Sequence, residues 1–178
     1  MKVVLDACVL YPTVMREMLL AAARTGAFQP LWSARILEEW ARAAEKLGPV
    51  GAAQARGEVA LLRAHWPDAE VPAAPALEAR LWLPDPADIH VLAVAVAGSA
   101  EAIVTLNAKD FPRHILAEEG VERRDPDGFL MALLAQDSAG LAEAGAQVLA
   151  QAQAMDAGWT MRALLKKARL PRLGKALG

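Results

Sequence analysis

The sequence predicts an α/β domain with a central, mostly parallel sheet, followed by a run of helices, and three stretches carry that reading. The first is Lys2 to Leu5, a short apolar run that stops at an acid, Asp6, and reads as a buried strand. The second is LPDPADIHVLAVAVAGSAEAIVTLNAKDFP, residues 83–112, where a capped apolar helix leads into a β-branched run and then a polar turn. A helix feeding a strand that ends in polar residues is half of an α/β crossover, and ligands in open α/β sheets sit beyond the carboxyl ends of the strands. The third runs from Asp125 to Trp159, which reads as helix and contains no lysine or arginine.

Each element follows in order from its local chemistry. Asp6 stands at a strand's carboxyl end, followed by the small residues Ala7 and Cys8, and an acid there is less easily dismissed than a helix cap. Pro12 and Thr13 open a helix whose apolar positions Val14, Met15, Met18, Leu19, Ala22 and Ala23 share a face, and Gly26 ends it. Phe28 to Trp32 is a strand or an extended connection, and Ser33 is a good N-cap for the next helix. In that helix Ile36, Trp40, Ala44 and Leu47 form the apolar stripe. At about 100° per residue, Glu39 lies on the flank of the stripe and Glu38 nearly opposite. Glu39 is therefore the acid placed to reach a half-buried site, and Glu38 is expected in solvent. Pro49 and Gly51 mark a break before a helix over 52–66 with Val59, Leu62 and Trp66 inward; the proline-punctuated segment 67–75 is a loop.

Asp85 with Pro86 reads as an N-cap and first helical residue, and Asp88 falls in the first turn, where the helix dipole favours negative charge. Ile89 to Ala97 is apolar or small almost throughout, so the helix is expected to be buried around most of its circumference, with Gly98 stopping it. Ala102 to Leu106 is the strand, and Asn107, Lys109 and Asp110 make the polar turn beyond it. Taken alone, Asp85, Asp88 and Asp110 each also read as helix caps. After Pro112 come a short helix, a polar connection with Arg123 and Arg124, and Asp125-Pro126-Asp127-Gly128, a turn or helix start. From Thr160 onward there are six basic residues, Arg162, Lys166, Lys167, Arg169, Arg172 and Lys175, and no acid. Such segregation marks either a surface that meets a partner or a solvated basic helix.

Composition narrows the class. At 178 residues, 55% hydrophobic and 5% aromatic, the chain is long enough for one domain with a sizeable core, or one domain plus an appendage, and is not disordered. A net charge of −2 gives no global attraction for polyanions, so any nucleic-acid partner must be held by a local patch. The single cysteine, Cys8, excludes an internal disulfide and a cysteine-rich zinc site. MKVVLDACVL is too short and too interrupted for a targeting segment, and no run approaches bilayer-spanning length, so a cytoplasmic protein without a membrane partner is expected.

Collected together, Asp6, Glu39, Asp88 and Asp110 with Asn107 come from separate elements, and parallel neighbouring strands would bring them to one edge. Several carboxylates in one cleft repel one another unless a cation is present, and Mg²⁺ or Mn²⁺ suits an all-oxygen site. Such a site suits a hydrolase of phosphate esters. An aspartyl phosphatase using Asp6 as nucleophile would want a second acid two residues later, where this chain has Cys8.

The pieces VVLDACVLYP, WSARILEEW, LPDPADIHVLAVAVA and AIVTLNAKDFP, with FLMALL after Asp127, resemble the PIN-domain nucleases over most of the chain. The wording DACVLYP and VTLNAKDFP is similar to the bacterial branch encoded as toxins of type II toxin–antitoxin pairs. The resemblance implies a three-layer α/β/α PIN-like domain over residues 1–125, a C-terminal helical extension over 126–178 packed on the same domain, and a metal-dependent ribonuclease activity. By position it makes Asp6, Glu39 and Asp88 the family's first three acids. The fourth acid of the family falls where this chain has Asn107, with Asp110 three residues later. Asparagine can ligate through its carbonyl oxygen but brings no charge, so affinity for a second cation should fall unless Asp110 compensates. The implied catalytic set is Asp6, Glu39, Asp88 and Asp110, and the metal set adds Asn107. Thr105 is expected to orient a ligand or a water, and Lys109, Arg35 and Arg113, with the basic tail, are candidates for RNA contacts by closeness in sequence. RNA is the expected substrate, with a small antitoxin protein and a second copy of the chain as candidate partners. Asp85 is expected to be only a cap, and His90 and His114 ordinary surface or packing residues. The alternative is a catalytically weak PIN-like scaffold that binds RNA or protein.

Overall fold

The computed structural model describes all 178 residues. In chain order its elements are β1 (Lys2–Leu5), α1 (Ala7–Leu10), α2 (Thr13–Arg24), β2 (Gln29–Leu31), α3 (Ala34–Ala44), α4 (Gly48–His65) and α5 (Pro75–Arg80). Then come α6 (Ile89–Ala97), β3 (Ala102–Val104), α7 (Arg113–Glu118), β4 (Glu122–Arg124), α8 (Pro126–Gln136), α9 (Ser138–Met155), α10 (Met161–Lys167) and α11 (Pro171–Leu177). The chain divides into two compact units, one of Met1–Tyr11 and Gln29–Arg123, the other of Pro12–Phe28 and Arg124–Gly178. No helix is long and apolar enough to cross a membrane.

The sheet runs in the order β2-β1-β3-β4. β1 pairs in parallel with both neighbours, Val4 lying opposite Leu31 on one side and Ile103 on the other, and Leu5 opposite Val104. Val3, Val4, Leu5, Ile103 and Val104 are fully buried, which is why these strands read as unbroken apolar runs instead of alternating ones. The chain leaves β1 for one side of the sheet and returns to β3 on the other, so the carboxyl ends of β1 and β3 flank a topological switch point. Asp6 closes the seam there, its backbone N–H donating to the Val104 carbonyl at 3.1 Å. The predicted α/β class, with a central parallel sheet and C-terminal helices, is the one observed.

Around the sheet, local signals place most elements. Ser33 caps α3 by accepting from the Ile36 N–H at 3.2 Å, and Asp85 accepts from the Ala87 N–H at 2.9 Å to open the turn that leads into α6. Gly98 ends α6, and a Cβ there would meet Leu31 Cδ1 at 2.8 Å, so glycine lets the helix end close on β2. Other boundaries differ from expectation. α4 begins at Gly48, because Pro49 sits in its first turn, where a missing N–H costs nothing, and does not break the chain. β3 stops at Val104, one residue before Thr105, whose hydroxyl accepts from the Asn107 N–H and turns the backbone out of the ladder. The connection holding Arg123 is an edge strand, β4, its Glu122 N–H donating to the Glu101 carbonyl at 2.9 Å. The expected long helix after Asp125 is two, because Asp137 ends α8 and accepts from the Gly140 N–H to start α9.

In the second unit Phe28 meets Phe129 edge-to-face at 5.0 Å between ring centres. Leu130, Leu133, Leu141, Ala144, Leu164, Leu165, Leu170 and Leu173 are buried. Gly174 allows α11 to approach α10, since a Cβ there would stand 3.1 Å from Leu165 Cβ. Asp127 is 7% exposed and accepts from the Arg172 and Leu173 N–H groups, closing the first turn of α11 with a carboxylate from α8. α2 belongs to this unit although it follows β1 in the chain.

Candidate metal centre

Asp6 is placed by β1 and held by its neighbours. It is 6% exposed; one carboxylate oxygen accepts from the Ala7 N–H at 2.8 Å, the other from the Thr105 hydroxyl at 2.7 Å and the Cys8 thiol at 3.4 Å. Burial raises its carboxyl above the ordinary value; the Thr105, Cys8 and Ala7 hydrogen bonds oppose that rise, and Glu39 adds to it. Thr105 is 2% exposed, with its hydroxyl committed to Asp6 and to the Asn107 N–H at 3.0 Å. It orients an acid of the site and the turn that follows it. Cys8 also accepts from the Leu106 N–H at 3.3 Å, and burial followed by the Asp6 charge pushes its thiol to about 11.

Asp88 shows which acids share the site. Its carboxyl is raised to about 6, first by burial and then by repulsion from Asp6, Asp85, Asp110 and Glu39. Oxygens of Asp85, Asp88 and Asp110 all lie within 4.8 Å of one another. Two ligand oxygens on opposite sides of a Mg²⁺ stand about 4.2 Å apart at its usual bond length. Oxygens side by side on the ion stand about 3.0 Å apart, so the three side chains would close in by up to about 2 Å, and the donors are the hard oxygens that Mg²⁺ and Mn²⁺ prefer. The residues present fit a divalent cation.

Asn107 lies inside the cluster with its amide nitrogen toward the acids, donating to Asp110 Oδ2 at 2.9 Å and Asp88 Oδ2 at 3.4 Å. As placed, this side chain offers the cluster the positive end of a dipole. Glu39 behaves as its place on the stripe predicts: Oε1 lies 2.6 Å from Nε2 of His90, which is 4% exposed and has no aligned hydrogen-bond partner at either ring nitrogen. Glu38 instead pairs on the surface with Arg42 and Arg56, at 3.2 and 3.0 Å. Arg35 reaches Glu39 at 3.8 Å and Glu78 at 3.7 Å, while Lys109 and Arg113 are exposed beside the loop that carries Asp110.

The structure thus brings Asp88, Asp110 and Asn107 into direct contact or near contact, with Asp6 and Glu39 in the same field. Four further residues were not assigned a part by the sequence. Asp85 is a cap, as expected, and also a member of the tightest carboxylate group. Its spacing of three from Asp88 across a turn was a usable signal. Cys8, two residues after Asp6, shares its hydrogen bonds. His90 braces Glu39 across fifty residues of chain, so nothing local announces the pair. Arg123 donates to the carbonyls of Ala108 and Phe111 at 2.8 and 3.0 Å, pinning the Asn107–Asp110 loop, and backbone acceptors leave no trace in sequence.

A parallel sheet with an acid cluster at its switch point is a candidate divalent-cation site on an α/β scaffold. The family model for the PIN domain matches residues 2–109, more than half of the chain, and takes in Asp6, Glu39, Asp85, Asp88 and Asn107. The chain belongs to the PIN-domain family, whose members are generally nucleases that use divalent metals. No curated protein and no solved structure matches it.

Proposed function

We propose that the chain is a metal-dependent endoribonuclease that hydrolyses RNA phosphodiester bonds and acts as the toxin of a toxin–antitoxin pair. The observation that supports this most is Asp88, a half-buried acid raised to about 6, first by its burial and then by the four other carboxylates around it. Uncompensated negative charge of that density suits a cation and an anionic substrate held through it. Asp6, Glu39, Asp88 and Asp110 are the catalytic set, and Asp6, Glu39, Asp88, Asn107 and Asp110, joined by Asp85, would hold Mg²⁺ or Mn²⁺. A bound ion of this kind binds the phosphate, acidifies a water and stabilises the leaving oxygen.

The chain's own groups supply position. Asp6 is fixed by three donors and does not have to be ordered when substrate arrives, while Glu39 stands between His90 and Arg35. Arg123 holds the loop that presents Asn107 and Asp110. Lys109 and Arg113, exposed beside that loop, and Arg35, beside Glu39, are the phosphate contacts, and binding through them weakens with salt.

The test is cleavage of a mixed pool of structured and single-stranded RNA by the full chain in Mg²⁺, Mn²⁺ or EDTA, beside Asp6→Asn and Asp88→Asn. Metal-dependent cleavage lost in both variants is expected; a wild type that binds no divalent ion would refute the enzyme reading. For the toxin role, induced synthesis should arrest growth, Asp6→Asn should not, and a small protein encoded directly upstream should relieve the arrest. One observation favours a second reading, a binding scaffold with weak turnover: the Asn107 amide already neutralises part of the field between Asp88 and Asp110. Under that reading metal still binds but cleavage stays at background with every RNA.

A further inference from the structure

The second unit carries a charged surface of its own. From Thr160 to the end the chain has six cations and no acid, and Arg162, Lys166, Lys167, Arg169, Arg172 and Lys175 are all exposed while Leu164, Leu165, Leu170 and Leu173 between them are buried. None of the six makes an ion pair; the one contact made by any of these cationic groups is Lys167 Nζ above the Trp159 ring at 5.1 Å. A solvated helix face would account for charge alone. It does not account for where the charges stand.

Four of the positions run against local preference. Arg162 and Arg172 occupy the first turns of α10 and α11, where the helix dipole disfavours cations. Arg162 and Lys166 are four apart, so like charges share one side of a helix. Arg169 is the clearest case. It has φ of 64°, the left-handed region, at the turn between the two helices. Its N–H bonds to the Lys166 carbonyl and the Leu170 N–H to the Leu165 carbonyl, the paired bonds of a Schellman cap, whose left-handed position is usually glycine. The same cap ends α7 with glycine, Gly120 at φ 72°, and α6 with the short Ser99 at φ 54°, so a long charged residue stands in this position only at 169. The backbone at residue 169 would be relaxed by glycine and carries a guanidinium instead.

We propose that α10, α11 and the turn between them form a binding face for the phosphate backbone of single-stranded RNA, with Arg169 its central contact. Taking RNA as the polymer rests on the ribonuclease reading; the positive face itself does not. Six unpaired cations on two short helices and their turn offer neighbouring phosphates replaceable counterions, the source of affinity in non-specific binding. Lys167 on Trp159 adds an aromatic beside a cation, a pairing that also stacks bases.

The test is binding of a labelled, unstructured oligouridine RNA to the full chain in EDTA, which removes cleavage, across a range of salt. Wild type should bind with a strong salt dependence. Arg169→Gly should hold or raise the melting temperature, by about 2 °C, yet weaken binding several-fold and flatten the log–log salt slope by about 0.7. Lys166→Gln with Lys167→Gln should flatten it by about 1.4. Unchanged affinity in a folded Arg169→Gly would overturn the proposal, as would polyglutamate competing as well as RNA, which would make the face a site for an acidic protein. RNA bound in this way by a chain that cuts nothing in Mn²⁺ would leave this face standing and remove the ribonuclease reading.

Discussion

Replacing Asp88 by asparagine should make the metal-free protein more stable and the metal-bound protein less so. In the folded chain the Asp88 carboxyl is raised from 3.8 to about 6, so the fold favours its neutral form. That contribution is fully present below the unfolded value and is lost as pH rises through 6. At pH 7.5 the ionised side chain is a liability. At about 1.4 kcal/mol per pH unit the displacement corresponds to about 3 kcal/mol. Asp88 is only half-buried and water screens part of the repulsion, so about 1–1.5 kcal/mol is the expected gain for Asp88→Asn. Urea unfolding in EDTA at pH 7.5 reads this directly, and the gap should close as pH falls from 6 towards 4. With Mn²⁺ at about 100 times its dissociation constant, wild type gains about 2.7 kcal/mol and the variant much less, so the order reverses. An Asp88→Asn chain no more stable than wild type in EDTA would mean that the acids do not crowd one another as described.

Asn107→Asp removes the amide donor between Asp88 and Asp110 and adds a charge, so the metal-free melting temperature should fall while Mn²⁺ affinity by calorimetry rises about tenfold or more; unchanged affinity would place residue 107 outside the site. Thr105→Val leaves a buried Asp6 oxygen with only the long Cys8 thiol contact and the Asn107 N–H without a partner, at about 1–3 kcal/mol in urea unfolding, and RNA cleavage should drop with it; a variant as stable and active as wild type would show that Asp6 needs no such anchor. The Cys8 thiol, pushed to about 11, should alkylate at pH 8 about 100-fold more slowly than a free cysteine, with its rate still climbing above pH 9. A rate that levels off below pH 9 would contradict the packing around Asp6.

Several elements were legible because one short stretch contains their cause. β1 announces itself as an apolar run ending in Asp6, Ser33 as a cap and Glu39 as the acid on the flank of its stripe. The crossover from Asp85 to Asp110 could be read because helix cap, apolar face and strand follow one another without interruption. What the sequence hid depends on partners far along the chain. The hydrogen bond from Thr105 to Asp6 follows from Leu5 lying opposite Val104, a register that neither strand specifies alone. His90 reads as one more residue of an apolar helix until Glu39 is brought to it. Asp127 looks like part of a turn, because the N–H groups it accepts belong to α11. Asn107 was legible as a departure from the family's acid, but its orientation was not: a spacing can place an amide in a site without saying which end faces the charge.

That orientation links the fold's stability to the site's chemistry. Asp6 and Asp88 are both raised by burial and by neighbouring acids, so without a cation the cluster opposes its own ionisation. An aspartate at position 107 would add a further negative charge to the same field. The amide does the opposite: its nitrogen donates to both acids while leaving the number of charges unchanged. Its cost falls on metal binding, since a donor turned toward two ligand oxygens competes with the cation for them. A cation that takes Asp88 and Asp110 must turn the amide so that its carbonyl oxygen faces the metal, or leave it in place and bind the remaining oxygens of the cluster. The first outcome makes Asn107 a ligand and the second makes it a spacer. Asn107→Asp separates them: tighter binding at unchanged stoichiometry follows if the residue already ligates, whereas an added metal equivalent follows if the amide has been standing where a second ion would go.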